Sequence, residues 1–126
     1  MTGFHTRLED LCAKHHSTQK ALEIELDKIT ANESTLNTLK DEFSQLAHSN
    51  KELLVNEVFP NMPAQQAAAY EEELRTEINA IDKSFTNKAE ELAASKRATI
   101  RTKEDDLDYF RSQYSRIMAD DEKESR

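Results

Sequence analysis

Four potential metal ligands near the amino terminus are the first residues whose chemistry could define a site. His5, Glu9, Cys12 and His16 are separated by four, three and four residues, so they line one face of a predicted helix. Histidine, cysteine and glutamate all bind zinc. One straight helix rarely surrounds a tetrahedral ion, however, and the loop-and-helix spacings of structural zinc sites are absent. The sequence therefore predicts a solvated helix face, with no metal and no cofactor.

Catalytic residues have no favourable arrangement in this sequence. Cys12 would need both a base and an enclosing pocket to act as a nucleophile, and His15 and His16 could supply only the base. Carboxylates are abundant, but the Glu-x-x-His pair of di-iron helical bundles does not occur. We therefore predict that the protein is not an enzyme, has no catalytic residues and takes no small-molecule substrate.

A short basic patch offers an alternative kind of site. Lys96, Arg97, Arg101 and Lys103 occur without an intervening acidic residue. Such a patch could contact nucleic acid, an acidic filament or anionic lipid. No aromatic residue lies within it for base stacking, and several acidic residues follow immediately. Ordinary charge patterning on a helix is the simpler interpretation, and a nucleic-acid- or filament-binding module is the alternative.

The composition limits the fold and the partners. Of the 126 residues, 37% are hydrophobic and 33% charged, with one glycine and two prolines, so neither a thick globular core nor a strand-rich fold is expected. The formal net charge is -8. Residues 1–59 and residues 60–126 carry -4 each, so neither half is a basic arm and nucleic acid is a disfavoured partner.

The expected location is intracellular, either cytoplasmic or nuclear. Cys12 is the single cysteine, so no internal disulfide can form, which fits a reducing compartment. The amino terminus has no apolar signal core, and no apolar run approaches the length of a membrane span.

Both prolines lie in one short stretch, which divides the chain into two long runs. Pro60 and Pro63 should interrupt a helix, with Phe59 and Met62 extended before them and Asn61 as the amino-terminal cap of a second helix. The predicted organisation is a first helix over 1–58, a hinge over 59–63, a second helix over 64–119 and a charged tail over 120–126. Two runs of nearly equal length joined by a short loop predict an all-α antiparallel helical hairpin.

Apolar residues with alternating spacings of four and three predict a coiled-coil seam in both helices. Between Leu92 and Ile100 two steps of four follow one another, which predicts a stutter in the second helix. The capping-box pattern that starts at Thr30 could also break the first helix. The seam comprises Leu8, Leu11, Leu22, Ile29, Leu36, Leu39, Phe43, Leu46, Leu74, Ile78, Ile81, Phe85, Leu92, Leu107 and Phe110.

The register of such a hairpin pairs residues whose numbers add up to about 121. It places His15 opposite Asp106 and Leu36 opposite Phe85. An antiparallel dimer of two chains would give similar pairs, so the seam leaves open whether the hairpin closes within one chain.

A two-helix seam supplies little buried area, so further docking is expected. The best candidate surface is the hinge cluster, defined as Leu54, Val55, Val58, Phe59 and Met62. In shape and composition the chain resembles small coiled-coil subunits of kinetochore, vesicle-tethering and cytoskeletal complexes. We therefore predict a scaffold or adaptor subunit that binds other protein subunits through coiled coils, as a homo- or hetero-oligomer within a larger helical bundle.

Overall fold

The computed structural model describes residues 2–124 and is all-α. Helix α1 spans Thr2–Leu53 and helix α2 spans Ala64–Glu124. The two helices pack against each other as an antiparallel hairpin, which confirms the predicted fold, and the hairpin closes within one chain, a point that the seam pattern left open. Helix α1 is not broken near Thr30. Residues 120–124, predicted as part of a charged tail, continue α2. Neither helix contains, within the described residues, a stretch apolar enough to cross a membrane.

The connection between the helices is more helical than the prolines suggest. One π-helical turn occupies Leu54–Val58 and one 3-10 turn occupies Phe59–Asn61. Of the two residues predicted to be extended, Phe59 and Met62, only Met62 is extended, with φ -111° and ψ 156°. The prediction for Phe59 was wrong, because Pro60 lies in the first turn of the 3-10 segment, where its missing N–H is not required.

Asn61 caps the end of the first run and not the start of the second. Its side-chain amide donates to the carbonyl oxygen of Glu57 over 2.8 Å. The first turn of α2 closes with the N–H of Ala67 donating to the carbonyl of Pro63 over 2.9 Å. Asn61 therefore satisfies a carbonyl that the end of a helix leaves unpaired, which corrects the predicted cap.

The chain divides into two compact units, each built from a segment of both helices. We call residues 1–30 with 94–126 the end unit and residues 31–93 the hinge unit. Ile29 and Ile117 are the buried apolar side chains of the end unit, and Leu92 is that of the hinge unit, within the part of the chain that is described. Most other seam positions are half-buried, as expected for two helices that bury one stripe each.

The end unit packs polar side chains between its helices. In α2 the half-buried and buried positions there include Lys96, Thr99, Lys103, Asp106, Phe110, Gln113 and Ile117, in alternating steps of three and four, and Leu107 is half-buried next to Asp106. Ile100 is exposed, so the predicted stutter was wrong. Asp106 faces α1 and accepts from the side-chain amide of Gln19 at 3.0 Å, and the same amide donates to the backbone carbonyl of Lys103 at 3.1 Å.

The hinge unit packs apolar and aromatic side chains instead. The rings of Phe43 and Phe85 lie 5.9 Å apart between centroids, tilted by 43°. Leu36, Ala47 and Leu74 are half-buried beside them. Such contacts are not directional, so their contribution depends on the fit between the side chains.

Candidate interaction surface of the hinge unit

Three leucines of α1 form an exposed row in the hinge unit. Leu39, Leu46 and Leu53 are 49%, 61% and 52% exposed, although each follows the seven-residue spacing of a seam. The half-buried positions of α1 lie one residue later, at Ala47 and Leu54. We call these three leucines the apolar row. Leu46 and Leu53 are rotated by about 100° from these seam positions, because each residue of an α-helix is rotated by that angle from the one before.

Exposed apolar side chains of α2 lie on the same face of this unit. Tyr70 is half exposed and immediately precedes the half-buried Glu71, so it is rotated from the seam in the same sense as the apolar row. Ile81 is also exposed. Two antiparallel helices are related by an approximate twofold axis perpendicular to the plane that contains both. Side chains that are rotated from the seam in the same sense on each helix therefore lie on the same face of the pair. The hinge unit therefore presents exposed apolar side chains of both helices on one face.

The hinge cluster borders a groove on this face. The groove has a volume of about 470 Å³ and is lined by Leu54, Val58, Phe59, Met62, Tyr70, Glu73, Leu74 and Glu77. Four of the five predicted cluster residues line it, and Val55 is exposed outside it. We call this cleft the hinge groove. Val58 is exposed, whereas Leu54, Phe59 and Met62 are half-buried, so the cluster partly packs under its own turn.

The remaining predicted seam residues are covered to different degrees. Leu39, Leu46 and Ile81 are exposed in the single chain. Ile29 and Leu92 are buried. Half-buried positions are Leu8, Leu11, Leu22, Leu36, Phe43, Leu74, Ile78, Phe85, Leu107 and Phe110. Their role in a coiled coil with other chains stays a prediction.

Sequence reasoning missed the residues that actually complete the α1 stripe. Leu26 and Ala47 are half-buried. The alternating spacing of four and three instead places their preceding neighbours, Glu25 and Leu46, in the seam, and both are exposed. A stripe drawn at 3.6 residues per turn, as for a straight helix, would have found them, because Leu22, Leu26 and Ile29 already follow it.

A hydrogen bond between a histidine and an aspartate lies in the seam of the end unit. His15 donates from Nδ1 to Oδ2 of Asp106 over 2.8 Å, which confirms the predicted pairing of these residues. The ring of His15 stacks on Phe110, with centroids 4.2 Å apart and 24° between planes. Both side chains of the pair are about one-fifth exposed. This arrangement fixes the register of two helices, because the bond requires one alignment.

The metal-ligand row and the basic patch also belong to the end unit. Within residues 2–124, no three His, Cys, Asp or Glu side chains converge on a possible metal position. Cys12 is exposed. Lys103 contacts Glu23 at 3.4 Å and Lys96 is half-buried, whereas Arg97 and Arg101 are exposed. The four cations of the basic patch therefore do not share one surface.

Comparisons of this chain with protein-family models, with curated protein sequences and with solved structures found no match.

Proposed function

We propose that this chain is a non-enzymatic coiled-coil subunit, a scaffold or adaptor, of an intracellular multi-protein assembly. The observation that carries the proposal is the apolar row Leu39, Leu46 and Leu53 on the face shared with Tyr70 and Ile81. Contiguous exposed apolar patches on monomers mark interaction sites more often than chance. The proposal includes the larger helical bundle that this face would join.

The spacing of the apolar row supports a helical partner. Seven-residue repeats place side chains on one line along a helix, where a second helix can pack knobs into holes. Covering one half-exposed leucine contributes roughly 1 kcal/mol, so three leucines with Tyr70 supply enough to offset part of the cost of association. A helix laid along a groove is a common mode of such recognition.

The test replaces part of the apolar row in the full chain. We expect Leu39→Asp with Leu46→Asp to remove the stoichiometric protein partners that co-purify with a tagged chain expressed at its native level. The matched control is Thr38→Asp with Gln45→Asp, which adds the same charge one residue earlier at exposed positions. Helicity by circular dichroism is measured for both. Partners that persist in the leucine variant, or that leave in both variants, contradict the proposal.

A nucleic-acid- or filament-binding role for the basic patch is the second candidate. It is favoured by Arg97 and Arg101, which are exposed four residues apart on α2. Binding of this kind would weaken steeply with salt and would be lost in Lys96→Glu with Arg101→Glu. Titration with labelled duplex DNA and with filaments measures it. Binding that is insensitive to salt, or no binding, removes this candidate.

A further inference from the structure

The charge of the molecule is concentrated in the hinge unit. Its 63 residues include five basic and twelve acidic side chains, a net charge of -7. The rest of the chain has twelve basic and thirteen acidic side chains, a net charge of -1. The unit with the exposed apolar face is therefore also the acidic one.

Glu73 and Glu77 bring that charge to the edge of the hinge groove. They are the only charged residues among those that line it. Neither forms an ion pair with a basic side chain of the described residues 2–124. A second groove in the hinge unit, of about 270 Å³, differs: Lys51, His48 and Arg75 lie along it, and Arg75 pairs there with Glu71 at 3.9 Å. The unpaired carboxylates thus belong to the apolar face.

A second copy of this chain does not complement such a face. In a symmetric dimer the same patch meets itself. Glu73 and Glu77 would approach an equally acidic unit of net charge -7 beside a desolvated interface, where like charges are costly.

We infer that the hinge groove and the apolar row bind an amphipathic helix of another protein, one whose apolar stripe is flanked by lysine and arginine. The inference rests on the proposed function and names its partner by chemistry. The stripe covers the apolar row and Tyr70, and the flanking cations reach Glu73 and Glu77. From Leu39 to Leu53 the row is about 21 Å long, so a helix of about four turns suffices to cover it.

The probe is a labelled synthetic peptide of about three heptads, with leucine at the a and d positions and lysine at e and g. A second peptide has the same leucines and glutamate at e and g. Both are titrated against the full chain by fluorescence anisotropy at about 50 mM and about 500 mM salt. We expect the lysine peptide to bind at least about tenfold more tightly than the glutamate peptide at the lower salt, and this preference to shrink at the higher salt.

Charge reversal at the hinge groove distinguishes attraction of the peptide to Glu73 and Glu77 from attraction to the net charge of the hinge unit. Glu73→Lys with Glu77→Lys should abolish or invert the preference between the two peptides. The matched control, Glu72→Lys with Asp82→Lys, changes the net charge of the same unit equally at exposed positions outside the groove. We expect this control to keep most of the preference. Equal loss in both variants overturns the inference, because only the net charge would then matter.

Two further outcomes also overturn the inference. The first is that neither peptide binds the folded chain. The second is a dimer in sedimentation equilibrium that Leu46→Asp dissociates, since a second copy would then occupy the face. In both cases the proposed function stands if native partners are still lost in Leu39→Asp with Leu46→Asp. Retention of those partners rejects the proposed function itself.

Discussion

The end unit adds directional polar contacts to an apolar seam, whereas the hinge unit packs aliphatic and aromatic side chains and leaves leucines uncovered. His15, Gln19 and Asp106 form a hydrogen-bonded group between the helices of the end unit. Phe43 and Phe85 occupy the corresponding role in the hinge unit. A polar seam fixes an alignment, because unpaired partners are costly. An apolar seam tolerates a shift, and here it leaves the leucines of the apolar row on the surface.

The two units also differ in what they offer to other molecules. The end unit is nearly neutral, and part of its basic patch is engaged with Glu23. The hinge unit combines acidic side chains with exposed leucines. Buried apolar area contributes affinity, and complementary charge selects the partner. The hinge unit has residues suited to both contributions.

The largest expected effect concerns the buried side chains of the end unit. Ile29→Ala should lower the free energy of unfolding by about 2–4 kcal/mol, because it leaves a cavity between the helices. Urea denaturation followed by circular dichroism measures the change. The control Ile24→Ala, at an exposed position of the same helix, should change it by less than about 0.5 kcal/mol. Equal effects would mean that Ile29 is not part of the core.

An intermediate loss in the free energy of unfolding is expected when the histidine that pairs with a carboxylate is replaced, and it should differ between the two units. His15→Ala should cost about 1–2 kcal/mol, because it removes both the bond to Asp106 and the stacking on Phe110. His48 pairs with Glu52 at 3.1 Å on the surface of the hinge unit, and His48→Ala should cost less than about 0.5 kcal/mol. The same denaturation experiment measures both. His16→Ala, at an exposed neighbouring position, is the control for the gain in helix propensity that alanine brings.

A smaller effect is expected for the exposed ion pair Arg7–Asp120. The two side chains are about half exposed and 3.3 Å apart, so solvent and salt screen their attraction. A double-mutant cycle with Arg7→Met and Asp120→Asn should give a coupling energy of less than about 0.5 kcal/mol. A coupling comparable to that of His15 with Asp106 would contradict the distinction between seam and surface pairs.

The smallest effect on stability should come from the apolar row. Leu46→Ala removes an exposed side chain and introduces the best helix former, so the free energy of unfolding should change by less than about 0.5 kcal/mol. Thermal and urea unfolding of the isolated chain measure this. A loss of 2 kcal/mol or more would place Leu46 in the core of the single chain and remove the argument for an interaction face.

Much of the fold was predictable from local signals. Pro60 and Pro63 mark the connection, and the long apolar repeats predict helices on both sides. The pairing of His15 with Asp106 followed from the equal lengths of the two runs. The choice between the neighbours Leu46 and Ala47 depended on the period assumed, because a repeat of 3.5 residues per turn selects Leu46 and one of 3.6 selects Ala47. Only the packing of side chains from α2 selects between them.

The sequence by itself determined two helices, their antiparallel order and a total charge of -8. Its two halves, residues 1–59 and 60–126, are equally acidic, so charge along the chain indicates no special region. The tertiary structure alone decided that the hinge unit holds nearly all of that charge together with the exposed leucines. The physical reason is that folding back brings distant segments side by side, so the surface that a partner meets is composed of both halves.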